Sequence, residues 1–429
     1  MILHEKDPTR GRLRPKLIIP SGFASILLSE LARLPYCTQY IHTIYTYRFS
    51  HHTLLVHPFL QISTMTIPTA ATIPGKKLRI ALLGCGRMGQ RHAVNLHKLI
   101  TRAEVVAVAD PSPIAAKWVE ENLPGVAYYS TPDSIFSLPN IDAVVISTIT
   151  STHASLTIQA IERGIHVLLE KPISVDVEDS RPVVEAARKR KDVKVMIGFV
   201  RRFDAALNQL HTHLKSSSLS SQSQPFLLKS TSCDPHDSTG FFISYAKSSG
   251  GIFMDCGIHD IDMSRWLLNV SSSGTKKQVA RVLASGLLTL HPTLADQGDC
   301  DNALAIIEYT NNTTCTLHLS RTGMSGYESS VEVFGTGEKL LVDTPASNRV
   351  KISDASGRHV DSAPTYMDRY GEAFIHEAKA FVDCILDDLP PPTSADDAFQ
   401  AALIAKALTH SFQSGKPVLF GEDGEPILD

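Results

Sequence analysis

From Lys77 onward, short unbroken apolar runs alternate with segments of helical period. "AEVVAVAD" (103–110), "IDAVVIST" (141–148), "HVLLEKP" (166–172) and "VKVMIGF" (193–199) read as strands, and 153–164 and 179–190 as helices. Strands that are apolar throughout are buried on both faces, so this alternation predicts a parallel sheet covered by helices. After Arg202 the rhythm changes. "FLLKSTS", "VARVLASGLLTL", "ALAIIEYT", "CTLHLSRT", "SSVEVFG", "KLLVD" and "RVKIS" follow one another on turns such as "TNNT" and "GTGEK". Several alternate apolar with polar, which predicts a large, mainly antiparallel sheet with one open face, the usual mark of a subunit interface. Helices are expected at 366–387 and 394–413, with one at about 252–269 between the first two of these strands and a Ser/Gln-rich surface loop at 215–225. The expected fold is a doubly wound Rossmann domain at 76–200, then an α/β domain at 201–429 built on the open-faced sheet.

Composition narrows the function. The 429 residues suit two domains, and 43% hydrophobic with 20% charged residues is the balance of a folded globular chain. A net charge of −3 without a dense basic block gives no footprint for nucleic acid or an anionic membrane, and no apolar run reaches membrane-spanning length. Seven scattered cysteines without a CxxC pair argue for a reducing compartment and against a structural metal site. The first 75 residues differ: residues 1–64 hold three acids against seven Lys/Arg, with clustered His and Tyr. They read as an unstructured leader, either sequence translated ahead of a true start at Met65 or a mitochondrial transit peptide, with the cytoplasm the expected compartment on the first reading.

The first candidate chemistry lies in "KLRIALLGCGRMGQRHAVNLHKL". Gly84-x-Gly86-x-x-Gly89 follows a strand and opens a helix, the arrangement that seats a pyrophosphate on free helix N–H groups. Gly84, Gly86, Arg87, Met88 and Gly89 are thus cofactor-binding candidates. Asp110 ends the next strand 21 residues past Gly89, where a carboxylate accepts the ribose hydroxyls and repels a 2′-phosphate. NAD is therefore expected over NADP. Thr148, His153, Glu170 and Lys171 lie at the carboxyl ends of later strands, where ligands of such sheets bind.

In "GGIFMDCGIHDIDMSRW" (250–266), Asp255 and His259 stand four apart on one face of a helix. Taken alone, the pair reads equally well as a surface ion pair or as a proton-handling site.

Four ordered blocks, "GCGRMGQRHA" (84–93), "HVLLEKPIS" (166–174), "MIGFVRRFDAA" (196–206) and "SGGIFMDCGIHDIDMSRWL" (249–267), resemble the Gfo/Idh/MocA oxidoreductases, in particular their myo-inositol 2-dehydrogenase branch. The resemblance runs from about Lys77 to Phe420. It implies NAD-dependent oxidation of a secondary hydroxyl on a cyclic polyol, carried out by Lys171, Asp255 and His259. On that reading His259 is the general base and Asp255 orients its ring, raising its pKa to or above the ordinary ~6.5, while Lys171 stabilises charge on the oxygen. Arg202, Asp234, His236 and Tyr327 are further substrate-binding candidates, and Asp260 or Asp262 could take a substrate hydroxyl; for Arg202 a buried ion pair is the competing reading. A homodimer or homotetramer through the open sheet is expected. Two alternatives stay open: a related sugar or dihydrodiol dehydrogenase, and a non-catalytic regulator sensing NAD(P).

Overall fold

The computed structural model describes residues 2–6, 13–17, 76–219, 222–270, 277–324, 326–344, 352–359 and 361–428, and the chain divides into two compact units, 1–72 and 73–429. In the first unit, β1 (Ile2–Lys6) pairs antiparallel with β2 (Leu13–Leu17), so this part of the leader is a hairpin where irregular chain was expected. The rest of the leader expectation lies outside the described residues.

The second unit begins with a six-stranded parallel sheet. Its strands are β3 (Leu78–Leu83), β4 (Ala103–Ala109), β5 (Ala127–Tyr129), β6 (Ala143–Ile146), β7 (His166–Leu169) and β8 (Val195–Ile197), in spatial order β5-β4-β3-β6-β7-β8. The order reverses at β3, which makes the carboxyl end between β3 and β6 the topological switch point. Helices α1 (Arg87–Lys98), α2 (Pro113–Asn122), α3 (His153–Glu162) and α4 (Val177–Lys189) make the crossovers. β3 and β6 are buried along almost their whole length, as their unbroken apolar runs require.

Helix α5 (Ala205–Leu219) leads into the second domain and runs through half of the Ser/Gln-rich segment expected as loop. Three helices, α6 (Phe241–Ser249), α7 (Gly251–Asp255) and α8 (Gly257–Leu267), then lie between β9 (Pro225–Pro235) and β10 (Val279–Leu287). β11 (Asn302–Tyr309), β12 (Thr314–Gly323), β13 (Glu328–Gly335), β14 (Lys339–Val342) and the late β17 (Val418–Leu419) complete a seven-stranded sheet of order β14-β13-β9-β12-β11-β10-β17. All its pairings are antiparallel except β9 with β12. The segment read as "RVKIS" contributes instead to a separate hairpin, β15 (Ile352–Asp354) with β16 (Gly357–His359).

One face of the large sheet carries α8 and the long α10 (Ala395–Ser414); α9 (Gly371–Leu386) packs against α1 of the first domain. Burial along β10 and β11 alternates as a half-covered sheet demands: Val282, Ala284, Ala305 and Ile307 face the helices, while Leu283, Leu304 and Ile306 are exposed. No described helix is long and apolar enough to cross a membrane.

Candidate active site

The glycine turn has the shape its residues require. Gly84 sits at φ +94°, and a Cβ there would meet the carbonyl oxygen of Ser147 at 2.5 Å; a Cβ on Gly89 would lie 2.1 Å from the Gly84 oxygen. These two glycines let α1 start hard against β3 and β6. Gly86 differs, since a Cβ there would have nothing within 4 Å, and it caps α1 with no side-chain hydrogen bond. An open approach onto uncapped helix N–H groups suits a pyrophosphate. Asp110 binds the Cys85 N–H through Oδ2 (2.7 Å) and the Ser112 N–H through Oδ1 (2.8 Å). It is thereby fixed at the carboxyl end of β4 beside the turn, with lone pairs left for ribose hydroxyls. Arg87 and Met88 open α1; the Arg87 guanidinium lies 5.3 Å from the Tyr366 ring centre, and the Tyr366 hydroxyl donates to Met88 Sδ at 3.5 Å. These features fit NAD.

The strand ends beyond β6 and β7 form a tied layer. His153 is buried, with Nδ1 2.8 Å from the Pro172 carbonyl and Nε2 3.2 Å from that of Thr148. Burial lowers its pKa, and a neutral ring with one N–H can donate to only one of these two carbonyls, the shorter contact being that to Pro172. Thr148 Oγ1 pairs with Thr152 Oγ1 at 2.7 Å. Glu170 accepts from His92 Nε2 at 2.7 Å and from the Lys171 N–H at 3.2 Å. Burial opposes its charge, but the His92 bond and nearby cations outweigh that and hold its pKa below the ordinary value. Its neighbour Glu377, with both oxygens buried and without a partner among the described residues, is pushed well above the carboxylate range by burial and by Glu170. Glu170 thus fixes the Lys171 turn, with one oxygen on His92 and the other on the Lys171 N–H.

Lys171, Asp255 and His259 come together, but not as expected. The helix anticipated at 252–269 is broken at Cys256, so Asp255 ends α7 and His259 lies in the first turn of α8. A Cβ at Gly257 would meet Leu319 Cδ1 at 2.8 Å, so glycine lets α8 start close against β12. Lys171 Nζ donates to the Asp255 carbonyl at 2.9 Å and stands 3.5 Å from its Oδ1. Oδ2 accepts from Arg321 Nη2 at 3.0 Å. Asp255 therefore bridges two cations, and His259 Nδ1 is buried with no partner among the described residues. Two full charges attract the carboxylate more strongly than a neutral imidazole does.

This geometry reverses the expectation for the histidine's pKa. Burial, with cationic Lys171 and Arg201 nearby, holds His259 well below its ordinary value. Its ring packs edge-on to Phe199, with centroids 6.1 Å apart. Burial opposes the Lys171 ammonium, but Asp255 together with Tyr245, Cys256 and Glu170 outweighs it and the pKa is raised, so lysine stays charged.

The other candidates divide. Asp234, at the end of β9, accepts from the Cys256 thiol at 3.3 Å; burial and the Asp255 carboxylate raise its pKa. His236 stacks on His291 with ring centres 5.2 Å apart, and Phe242 packs edge-on beyond. Tyr327 is 4% exposed and its hydroxyl accepts from Arg201 Nη2 at 3.1 Å. Arg202 is not at the site: its Nε donates to Asp262 Oδ2 at 2.8 Å and its Nη2 to Oδ1 at 2.5 Å, and both residues are buried. Arg201 Nη1 and the Ser230 and Ser232 hydroxyls all donate to Asp260 Oδ1, and this fully buried aspartate keeps only Oδ2 without a partner among the described residues.

Arg321 is the residue that motif reading missed. It is buried, and its guanidinium carbon lies 3.8 Å from the Phe242 ring centre. A period-2 reading of β12 could have found it, because Cys315, Leu317 and Leu319 all point to the buried face and Arg321 continues that register. A charge on the inward face of a strand needs a partner.

Comparison with known proteins agrees with this architecture. The family described as "Oxidoreductase family, NAD-binding Rossmann fold" matches residues 78–199, and "Oxidoreductase family, C-terminal alpha/beta domain" matches 244–420. The chain is 32% identical over 342 residues to scyllo-inositol 2-dehydrogenase (NAD(+)) of Bacillus subtilis, covering 80% of this chain and 96% of that protein. It is 30% identical over 346 residues to myo-inositol 2-dehydrogenase of Thermotoga maritima, covering 80% and 99%. Among solved structures, the scyllo-inositol dehydrogenase of Lactobacillus casei with bound NAD(H) and scyllo-inositol superposes with a TM-score of 0.74 at 28% identity, over 80% of this chain and 99% of that one. With both of its family regions matched in order and relatives aligned over nearly their full lengths, the chain belongs to the Gfo/Idh/MocA family of NAD-binding oxidoreductases.

Proposed function

We propose that the protein is an inositol 2-dehydrogenase-like enzyme that oxidises a secondary hydroxyl of a cyclic polyol with NAD. The observation that carries this is the meeting of Lys171 and His259 around Asp255, at the carboxyl end of β7 in the NAD-binding domain. NAD, when bound, supplies the hydride acceptor. The chain's own residues handle the oxygen and the proton. His259, kept neutral by burial and adjacent cations, accepts the hydroxyl proton. The Lys171 ammonium donates to the oxygen and stabilises the negative charge that grows as the O–H bond breaks. Asp255 acts on Lys171 instead of orienting His259. Asp234 and His236 supply polar groups for the remaining ring hydroxyls, with Tyr327 reached through Arg201.

Initial rates with myo-inositol, scyllo-inositol and a set of aldoses, read as NADH absorbance, test the reading. Turnover of aldoses but no inositol would favour the sugar-dehydrogenase alternative. Tight NAD binding with no turnover of any polyol or sugar would favour the sensor.

The assembly we propose is a homodimer or homotetramer joined through the bare face of the large sheet. Leu283, Leu304 and Ile306 are exposed there beside a groove of about 560 Å³ that reaches Gly286 and Phe412. Sedimentation of the wild type and of Leu304→Glu decides it: a monomeric wild type would remove the proposal. A cytoplasmic location is supported by the six described cysteines, all free thiols.

A further inference from the structure

We propose that Arg321 is a positioning residue that holds the charge of Asp255, so that Lys171 is free to engage the substrate oxygen. The inference rests on the reading of Lys171 and His259 given above. In this structure Lys171 is anchored on Asp255 twice, at the backbone carbonyl and, at 3.5 Å, at Oδ1. If lysine were the only cation near that carboxylate, any move toward a substrate would strand a largely buried negative charge, the Asp255 side chain being only 20% exposed. An unpaired buried charge carries a heavy penalty, so the lysine would stay.

Arg321 removes that constraint, because it neutralises the other carboxylate oxygen from a fixed position. β12 runs between β9 and β11 in the middle of the sheet, and the Arg321 N–H is bonded to the Asp301 carbonyl at 2.8 Å. The side chain is 3% exposed and lies on the Phe242 ring, so it cannot follow a ligand. The two cations thus divide the work. Arg321 is the rigid counter-ion, and Lys171, on a flexible stem with a single long contact to Oδ1, is the one that moves. Nε and Nη1 of Arg321 are buried as well, with the Cys256 side chain beside the guanidinium.

A double-mutant cycle tests the division with myo-inositol and NAD as substrates. Arg321→Met should lower kcat/KM by ~30-fold or more, with a raised KM for myo-inositol and an unchanged NAD dissociation constant. In an Asp255→Asn background, where no charge remains to be held, the same substitution should cost no more than about threefold. Arg321→Lys should recover part of the loss. Equal losses in both backgrounds would overturn the proposal and leave Arg321 a scaffold residue. If Arg321→Met does not fold, Arg321→Gln enters the cycle in its place, with circular dichroism and NAD binding as the fold check. The two readings fail separately. Wild-type turnover in Lys171→Met and His259→Ala would sink the proposed function. Loss in those variants, with Arg321→Met near wild type, would sink only the role of Arg321.

Discussion

The two ends of the active site are built by opposite strategies. The nucleotide turn is local: Gly84, Gly86 and Gly89 lie within six residues, and Asp110 follows on the next strand. Each acts through its own backbone or one neighbouring bond, so the spacing carries the geometry. The proton-handling end is assembled from β7, α7, α8 and β12, segments that lie far apart in the chain. There the behaviour of each group depends on charges that no spacing encodes. Asp255 stands four residues from His259, yet its carboxylate goes to Lys171 and Arg321. The difference teaches that a motif predicts well where backbone conformation does the work, and poorly where competing charges decide which partner wins.

Perturbing each end sharpens the contrast. The largest effect is expected at the assembled end: Lys171→Met should lower kcat by ~10³-fold or more through lost charge stabilisation. His259→Ala should cost ~10²–10⁴-fold in kcat. Both variants should leave NAD affinity, read by fluorescence titration, close to wild type; a large loss of NAD binding would mean the two ends are not independent.

The pH profile probes the same charges. A protonated histidine cannot accept the hydroxyl proton, so kcat/KM for polyol oxidation must fall as pH drops through the His259 pKa. Since burial and the adjacent cations depress that pKa in the free enzyme, the acid limb should lie below the ordinary ~6.5. An acid limb above that value would show that Asp255 turns to His259 in solution.

Arg202→Met should destabilise the fold by ~3–5 kcal/mol, because Asp262 would be left buried without its partner. Turnover per folded molecule should hardly change, and thermal unfolding with active-site titration separates the two quantities. At the local end the expected effect is smaller. Asp110→Ser should shift the NAD/NADP ratio of kcat/KM by ~10-fold toward NADP, since it removes the carboxylate that excludes a 2′-phosphate. An unchanged ratio would take Asp110 out of cofactor choice.

Sequence alone determined the parallel sheet, the glycine turn, the family blocks and most strands of the second sheet. Those features arise from periodicity and from backbone demands confined to a few neighbouring residues. Strand order was not legible, because β9 joins β12 in parallel across the whole of α6 to β11, and pairing at that distance leaves no local pattern. The break at Cys256 was hidden in a segment whose residues all fit one long helix; close packing of Gly257 on Leu319 accompanies it. The roles of neighbouring residues were equally hidden. Arg201 and Arg202 read alike in "GFVRRFD", but their side chains reach different aspartates on α8. Arg321 looked like one more residue of an ordinary strand until the fold placed it against Asp255. Tertiary structure alone decided the electrostatics of the site, because charge interactions strengthen with burial and proximity, and both are properties of the folded arrangement.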